Sequence, residues 1–117
     1  MWNAALMMSY TKPIPGREAK AMEVFADALT IYGNLAADGK CAEPEVFHHL
    51  VGGGMFLVKT ETIESAHEIL DMDEVRKMLD VAMFTVDDFN VEVMVTGANL
   101  MNNMSLYTAI GTELGYI

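Results

Sequence analysis

Apolar and polar residues alternate in short stretches of the chain and recur at helical spacing in longer ones. Residues 45–60 hold two apolar runs around consecutive glycines at 52–54. Glycine adopts positive φ angles without steric cost, so this stretch predicts a β-hairpin. Residues 89–96 alternate almost throughout, which predicts a strand. Residues 2–10 are apolar and precede two prolines and a glycine, so they predict a first strand followed by a turn.

Helices are predicted in the stretches between these strands. Residues 17–38 place apolar side chains at i, i+3, i+4 and i+7, with a glycine directly after Asp38 where a helix commonly ends. Residues 63–86 predict a helix in two pieces, and the tail at about 98–117 predicts a short terminal helix. The apolar face expected on the first helix holds Met22, Phe25, Ala26, Leu29, Tyr32 and Ala36.

The resulting order is strand, helix, strand, strand, helix, strand and tail. This βαββαβ order predicts an α+β, ferredoxin-like domain with a four-stranded antiparallel sheet and helices on one face. A length of 117 residues predicts one domain over 1–117, with a core at about 1–97 and the helical tail after it.

The hairpin register determines which side chains share a sheet face. A three-residue loop would pair Val51 with Met55 and His49 with Leu57, whereas a two-residue loop would reverse the partnership between faces. We favour the three-residue loop because it gives one wholly apolar face and one mixed face. The first face holds Val46, His48, Leu50, Phe56, Val58 and Thr60; the second holds Glu45, Phe47, His49, Val51, Leu57 and Lys59.

Composition indicates a partner and excludes some functions. Hydrophobic residues make up 52% of the chain, more than a small monomer usually buries, so we expect a second copy to cover the mixed sheet face. The net charge of −10, with 7 lysines and arginines, argues against nucleic acid and anionic membranes. A single cysteine, Cys41, and an N-terminus without a signal-peptide pattern favour a cytoplasmic protein.

The chain also resembles small bacterial proteins of the dimeric α/β-barrel superfamily. The resemblance lies in residues 10–18 (YTKPIPGRE), in the helix with Val24-Phe25 and Tyr32-Gly33, and in the hairpin leading into residues 55–58. It extends over about residues 4–97, and the tail beyond it departs from the expected short ending. The resemblance implies a ferredoxin-like homodimer from an uncharacterised branch, distantly similar to antibiotic-biosynthesis-type monooxygenases.

Candidate chemistry is sparse in this sequence. His48 and His49 point to opposite faces of a strand, so they cannot bind one metal together, and we expect no metal and no cofactor. The side chain of His49 would point into the interior of a dimer, where histidine can act as a general base near neutral pH. The residues expected to contact a ligand on the mixed face are Asn3, Phe47, His49, Leu57, Asn90, Glu92 and Met94.

Three hypotheses for function follow. The first is a homodimer that binds a small apolar or aromatic molecule in a cavity, either between sheet and helices or at the dimer interface. The second is a cofactor-independent monooxygenase or isomerase with His49 as base and Asn3 or Asn90 holding an oxyanion. This one rests on the family resemblance alone. The third is a structural or interaction protein that uses its methionine-rich tail.

Overall fold

A computed structural model describes residues 1–116 and has the predicted α+β order. The strands are β1 (Ala4–Tyr10), β2 (Lys12–Pro13), β3 (Glu45–His48), β4 (Gly54–Thr60), β5 (Val86–Asp87) and β6 (Asn90–Val95); the helices are α1 (Glu18–Ala37), α2 (Ile63–Leu70), α3 (Asp73–Thr85) and α4 (Gly97–Leu114). Four strands form an antiparallel sheet in the order β3-β4-β1-β6, the ferredoxin-like topology, and the short β2 and β5 form a small second sheet that the sequence did not predict.

Local signals explain where the helices begin and end. The hydroxyl of Thr62 accepts a hydrogen bond from the Ser65 backbone N–H at 3.0 Å, which caps the start of α2. After α1, Gly39 adopts a φ of +78°, and the Lys40 N–H donates to the Leu35 carbonyl at 2.9 Å. The glycine stop predicted after Asp38 is therefore confirmed.

The core lies between the sheet and helices α1, α2 and α3. Leu6 and Val58 on the sheet and Tyr32 on α1 are fully buried. The face predicted for α1 is only partly correct, since Met22 and Leu29 are exposed. Apolar residues surround much of this helix, so the sequence spacing fits more than one face, and contact with the sheet selects the face that is buried. Its buried residues are Val24, Ala28, Tyr32 and Leu35.

The predicted pairing within the hairpin is wrong. Leu57 pairs with Glu45 instead of His49, and β3 ends at His48. The chain turns early because the His49 N–H donates to the Gly53 carbonyl at 2.7 Å and the Gly52 N–H donates to the His49 carbonyl at 3.2 Å. His49 thus lies in the turn and not on a sheet face.

The predicted division of the strands into two faces nevertheless holds for the residues that remain paired. The register differs from the prediction by an even number of residues, so the side-chain alternation is preserved. Lys59 reaches Glu45 diagonally across the outer face, with 3.2 Å between Nζ and Oε2. This exposed pair contributes little to stability, but it leaves no net charge at that position.

The buried Tyr32 makes stability sensitive to alkaline pH. Its hydroxyl donates to the thioether sulfur of Met8 at 2.9 Å, and burial raises the pKa of Tyr32 well above that of an ordinary tyrosine. The unfolded chain releases this proton near pH ~10 while the folded chain keeps it. The stabilisation is therefore complete below about pH 10 and is lost as pH rises beyond it.

Above pH ~10, one buried tyrosine that keeps its proton lowers the free energy of unfolding by about 1.4 kcal/mol for each pH unit. We expect Tyr32→Phe to remove this contribution, so the free energy of unfolding falls less steeply with pH. Urea unfolding between pH 8 and pH 12 measures it. Tyr107→Phe is the matched control because Tyr107 is 65% exposed. Burial also raises the pKa of Cys41, so some decline remains in both variants. Equal slopes for the two variants would contradict the assignment.

Candidate functional site

An apolar cavity of about 380 Å³ lies between the sheet and the helices α1 and α3. Alternation along β1 and β4 directs Met8 and Phe56 into it from the sheet. No aspartate, glutamate, lysine or arginine of the described residues lines this cavity. The full lining is Met8, Tyr10, Pro13, Ala21, Met22, Val24, Phe25, Ala28, His48, Gly52, Phe56, Met78, Leu79, Ala82, Thr85, Val86 and Phe89.

Short side chains on the two helices explain why the space is open. Ala21 and Ala28 on α1 face Ala82 on α3 around the cavity, at positions where a larger residue would fill it. Phe25 forms one wall and packs edge-on against Phe56, with 5.0 Å between ring centroids. The lining therefore suits an apolar or aromatic molecule.

Polar groups gather at the mouth of the cavity. Tyr10, Gly54 and His48 are paired across three neighbouring strands and lie in one row on the helix-facing side of the sheet. A Cβ at Gly54 would lie 3.0 Å from both the Tyr10 hydroxyl oxygen and the His48 ring, so glycine allows these two side chains to approach. The His48 ring packs edge-on against Phe25 at 5.0 Å, and burial raises the pKa of Tyr10.

A second depression, also about 380 Å³ but more polar, adjoins this mouth and shares Tyr10 and His48 with it. Asp88 borders it in a left-handed conformation with φ +54°, the one non-glycine residue at positive φ among residues 1–116. Its carboxylate accepts a hydrogen bond from the Thr11 hydroxyl at 3.0 Å. The other lining residues are Ser9, Thr11, Phe47, His49, Gly54 and Met55.

The ligand-contacting residues predicted from the sequence are divided between this depression and the outer sheet face. Phe47 and His49 line the second depression. The Asn3 side-chain oxygen accepts a hydrogen bond from the Ala98 N–H at 3.1 Å, so Asn3 contacts the start of α4. Those that line neither cavity are Asn3, Leu57, Asn90, Glu92 and Met94.

The outer face holds the remaining members of this set. Asn90 donates through its side-chain amide to a Glu92 carboxylate oxygen at 2.6 Å, and both side chains are exposed. Leu57 and Met94 are half-buried on the same face. Contact of these residues with a ligand in the interior of a dimer stays a prediction.

Sequence reasoning missed Tyr10 and His48 as site residues. The signal was present, because strand alternation placed His48 on a face that was otherwise apolar. A histidine at such a position indicates a polar group beside an apolar space. The site was instead sought on the opposite face, where most of the polar side chains lie.

Residues 1–116 contain no cluster of three or more histidine, cysteine or acidic side chains arranged to hold a metal ion. Within the same part of the chain, no helix combines the length and hydropathy needed to cross a bilayer.

The sequence matches no protein-family model and no curated protein. Solved structures share the fold at low identity. A protein from Shewanella oneidensis is 16% identical with a TM-score of 0.65, over 81% of this chain and 91% of that chain. A dimeric protein of unknown function and ferredoxin-like fold from Bacteroides fragilis is 8% identical with a TM-score of 0.60, over 80% of this chain and 96% of that chain.

A proposed antibiotic biosynthesis monooxygenase from Chloroflexus aurantiacus is 9% identical with a TM-score of 0.57, over 81% of this chain and 94% of that chain. These likenesses show a ferredoxin-like fold and confirm the resemblance at that level. The alignments span nearly all of each neighbour but leave roughly a fifth of this chain unmatched, a share similar in size to α4 and the residues after it.

Proposed function

We propose that this protein binds a small, uncharged apolar or aromatic molecule in the cavity between the sheet and α1 and α3. The observation that carries the proposal is the volume of about 380 Å³ with an apolar lining and polar groups at its mouth. Ligand sites are commonly of this size and make-up. Tyr10 and His48 would orient a hydroxyl or carbonyl group of the bound molecule at the open end.

We also propose that the protein is a homodimer joined through the outer sheet face. Phe47 on this face is 52% exposed, and Met7, Met55 and Leu57 beside it are half-buried. An apolar sheet face of this kind is normally covered by another layer. A neighbour of ferredoxin-like fold is dimeric, which supports a dimer but does not bear on which face forms it.

Filling the cavity is expected to abolish ligand binding. Ala21 lines the cavity and is half-buried, so Ala21→Phe would place its ring in the space. We expect this variant to weaken binding of the neutral fluorescent probe N-phenyl-1-naphthylamine by at least about tenfold, the loss expected when a pocket contact is replaced by a clash. Fluorescence titration measures the dissociation constant.

Ala26→Phe is the matched control, because Ala26 lies on the same helix, is exposed and lines neither cavity. It is expected to bind the probe like the unchanged protein. Equal affinity for the two variants would refute binding in this cavity.

A cofactor-independent monooxygenase or isomerase is the second candidate, favoured by the placement of His48 beside the Tyr10 hydroxyl at the mouth of the apolar space. The imidazole would take a proton from a carbon next to a carbonyl of the bound molecule, and the Tyr10 hydroxyl would donate to the resulting enolate oxygen. With His49 as the base, the reacting carbon would instead lie in the second depression.

Exchange of the acidic C–H protons of 2-tetralone for deuterium, followed by NMR, tests this chemistry. We expect His48→Gln to slow exchange by about a hundredfold, a common contribution of a general base, while probe binding is retained. His67→Gln is the control variant, because His67 is exposed on α2 and lines neither cavity; a loss in His49→Gln instead of His48→Gln would assign the base to His49. Exchange no faster with the unchanged protein than in buffer would leave binding alone as the function.

A further inference from the structure

Helix α4 combines low charge with high exposure. Glu113 is its one charged residue over 18 positions, in a chain that is 21% charged. Its large apolar side chains stay open to solvent instead of packing on the domain. Leu100, Met101, Met104, Leu106, Tyr107 and Ile110 are between 43% and 68% exposed. A helix that is apolar on most of its surface is normally buried.

The composition of α4 also predicts that it needs a partner to remain helical. Its polar positions are mainly asparagine, serine, threonine and glycine, which have weak helix propensity, and isolated helices of this length are marginal even with strong formers. The chain is elongated, with extents of 51, 33 and 24 Å. Its radius of gyration of 16.4 Å exceeds the value of about 13 Å typical of a compact domain of this size.

The start of α4 is held firmly to the domain, which fixes its direction. The Asn3 carbonyl accepts hydrogen bonds from the Thr96 N–H at 2.9 Å and from the Asn99 side chain at 3.3 Å. Gly97 has a φ of +56°, and a Cβ there would lie 2.7 Å from the Asn3 side-chain oxygen. These contacts fix the direction in which α4 leaves the domain, so its apolar side chains point away from the protomer's own core.

We propose that α4 is an arm that packs against a second copy of this chain and extends the interface of the homodimer. The distribution of charge over the chain favours a second copy as the partner of α4. Two copies at −10 each repel, so they can meet only where charge is low. The arm satisfies this condition, and the outer sheet face comes close to it, because Lys59 neutralises Glu45 and Glu92 is the one other charged residue on the strands of that face.

The available area supports this role. At up to about 200 Å² for each fully open side chain, the six exposed apolar side chains named above offer roughly 650 Å². A stable interface buries about 800 Å² per partner. The arm would thus add most of the area of a standard interface to that of the sheet.

A charge placed on the arm tests the proposal, which rests on the homodimer proposed above. Leu106 is 57% exposed, and leucine and glutamate have similar helix propensity, so Leu106→Glu leaves the protomer intact. We expect it to raise the dimer dissociation constant by at least about tenfold, because an unpaired carboxylate is costly to bury at an interface. Sedimentation equilibrium measures this constant.

Leu50→Glu is the matched control, because Leu50 is fully exposed in the hairpin turn and the substitution adds the same charge. It is expected to leave the dissociation constant unchanged. If the Leu106→Glu variant dimerises like the unchanged protein, the proposed role of α4 is refuted but the proposed homodimer is not. A monomeric unchanged protein at high micromolar concentration would overturn both.

Hydrogen–deuterium exchange of the full chain gives an independent readout. We expect the amides of α4 to be protected at concentrations where the dimer forms and to lose that protection on dilution. Unprotected α4 amides in the dimer would overturn the proposal. Binding of α4 to phosphatidylcholine vesicles without any change in oligomeric state would also overturn it, and would assign a lipid surface to the arm instead.

Discussion

Replacing Leu6 with alanine is expected to lower the free energy of unfolding by about 3 kcal/mol. Leu6 is fully buried at the centre of β1, where it is paired with Val58 on one side and Val93 on the other. Its side chain points to the helices, so truncation leaves a cavity in the middle of the core that the neighbouring strands cannot close. Urea unfolding at a low, fixed protein concentration measures the loss.

Leu57→Ala removes the same atoms from the neighbouring strand but on the outer face, where the side chain is half-buried. In the protomer we expect a loss of about 1 kcal/mol or less, because a partly solvated site loses less burial. At high protein concentration the same variant is expected to weaken the dimer. Equal losses for Leu6→Ala and Leu57→Ala in dilute solution would contradict the assignment of the two faces.

The contrast between these leucines depends on a property that the sequence does predict. Side chains alternate along a strand, so the division of residues between faces survives any even change in register. The sequence therefore separated Val46, Phe56 and Val58 from Phe47 and Leu57 correctly, although Leu57 pairs with Glu45 and not with the predicted His49. Pairing itself depends on where the turn begins, and hydrogen bonds within the turn decide that.

The candidate site was harder to predict. His49 was assigned to a strand that ends one residue earlier, so it lies in the turn. His48 lies at the cavity mouth, on the face where alternation placed it, but the site was sought on the opposite face. The cavity itself comes from Ala21, Ala28 and Ala82, which two different helices bring together. No spacing within one helix reveals such a space, since it depends on what each alanine faces.

The tail shows a different limit of sequence reasoning. Helical spacing predicted a short helix there, and α4 extends over Gly97–Leu114. Spacing describes which residues share a face, but it does not say whether the domain has room to receive that face. The sheet already carries helices on one side, and the junction at Gly97 and Asn3 holds α4 in its own direction.

The glycines of the hairpin show that one residue type can meet two different requirements. Gly52 adopts a φ of +111° and fits the interpretation as a turn residue. Gly53 is required for another reason, since a Cβ there would lie 2.6 Å from the Thr11 carbonyl oxygen and 2.9 Å from that of Tyr10. These contacts come from the last residue of β1 and the residue after it, more than 40 residues away in the sequence, so no local pattern reveals them.

Gly53→Ala is therefore expected to destabilise the fold by about 2 kcal/mol, within the range for forcing extra volume into a packed site. The contacting atoms belong to the backbone, and the Thr11 N–H is bonded to the Asp87 carbonyl at 3.0 Å, so the end of β1 cannot move away freely. Unfolding in guanidinium chloride measures the change, and weaker probe binding is expected too because Tyr10 lines the cavity mouth.

Gly33→Ala provides a control in which the expected change in stability has the opposite sign. Gly33 lies within α1, and a Cβ there meets nothing within 4 Å, so alanine is expected to stabilise the protein by about 0.5–1 kcal/mol through its higher helix propensity. The same substitution thus raises stability on the helix and lowers it at the hairpin. A stabilising Gly53→Ala would mean that β1 and the turn are not held together by this close approach.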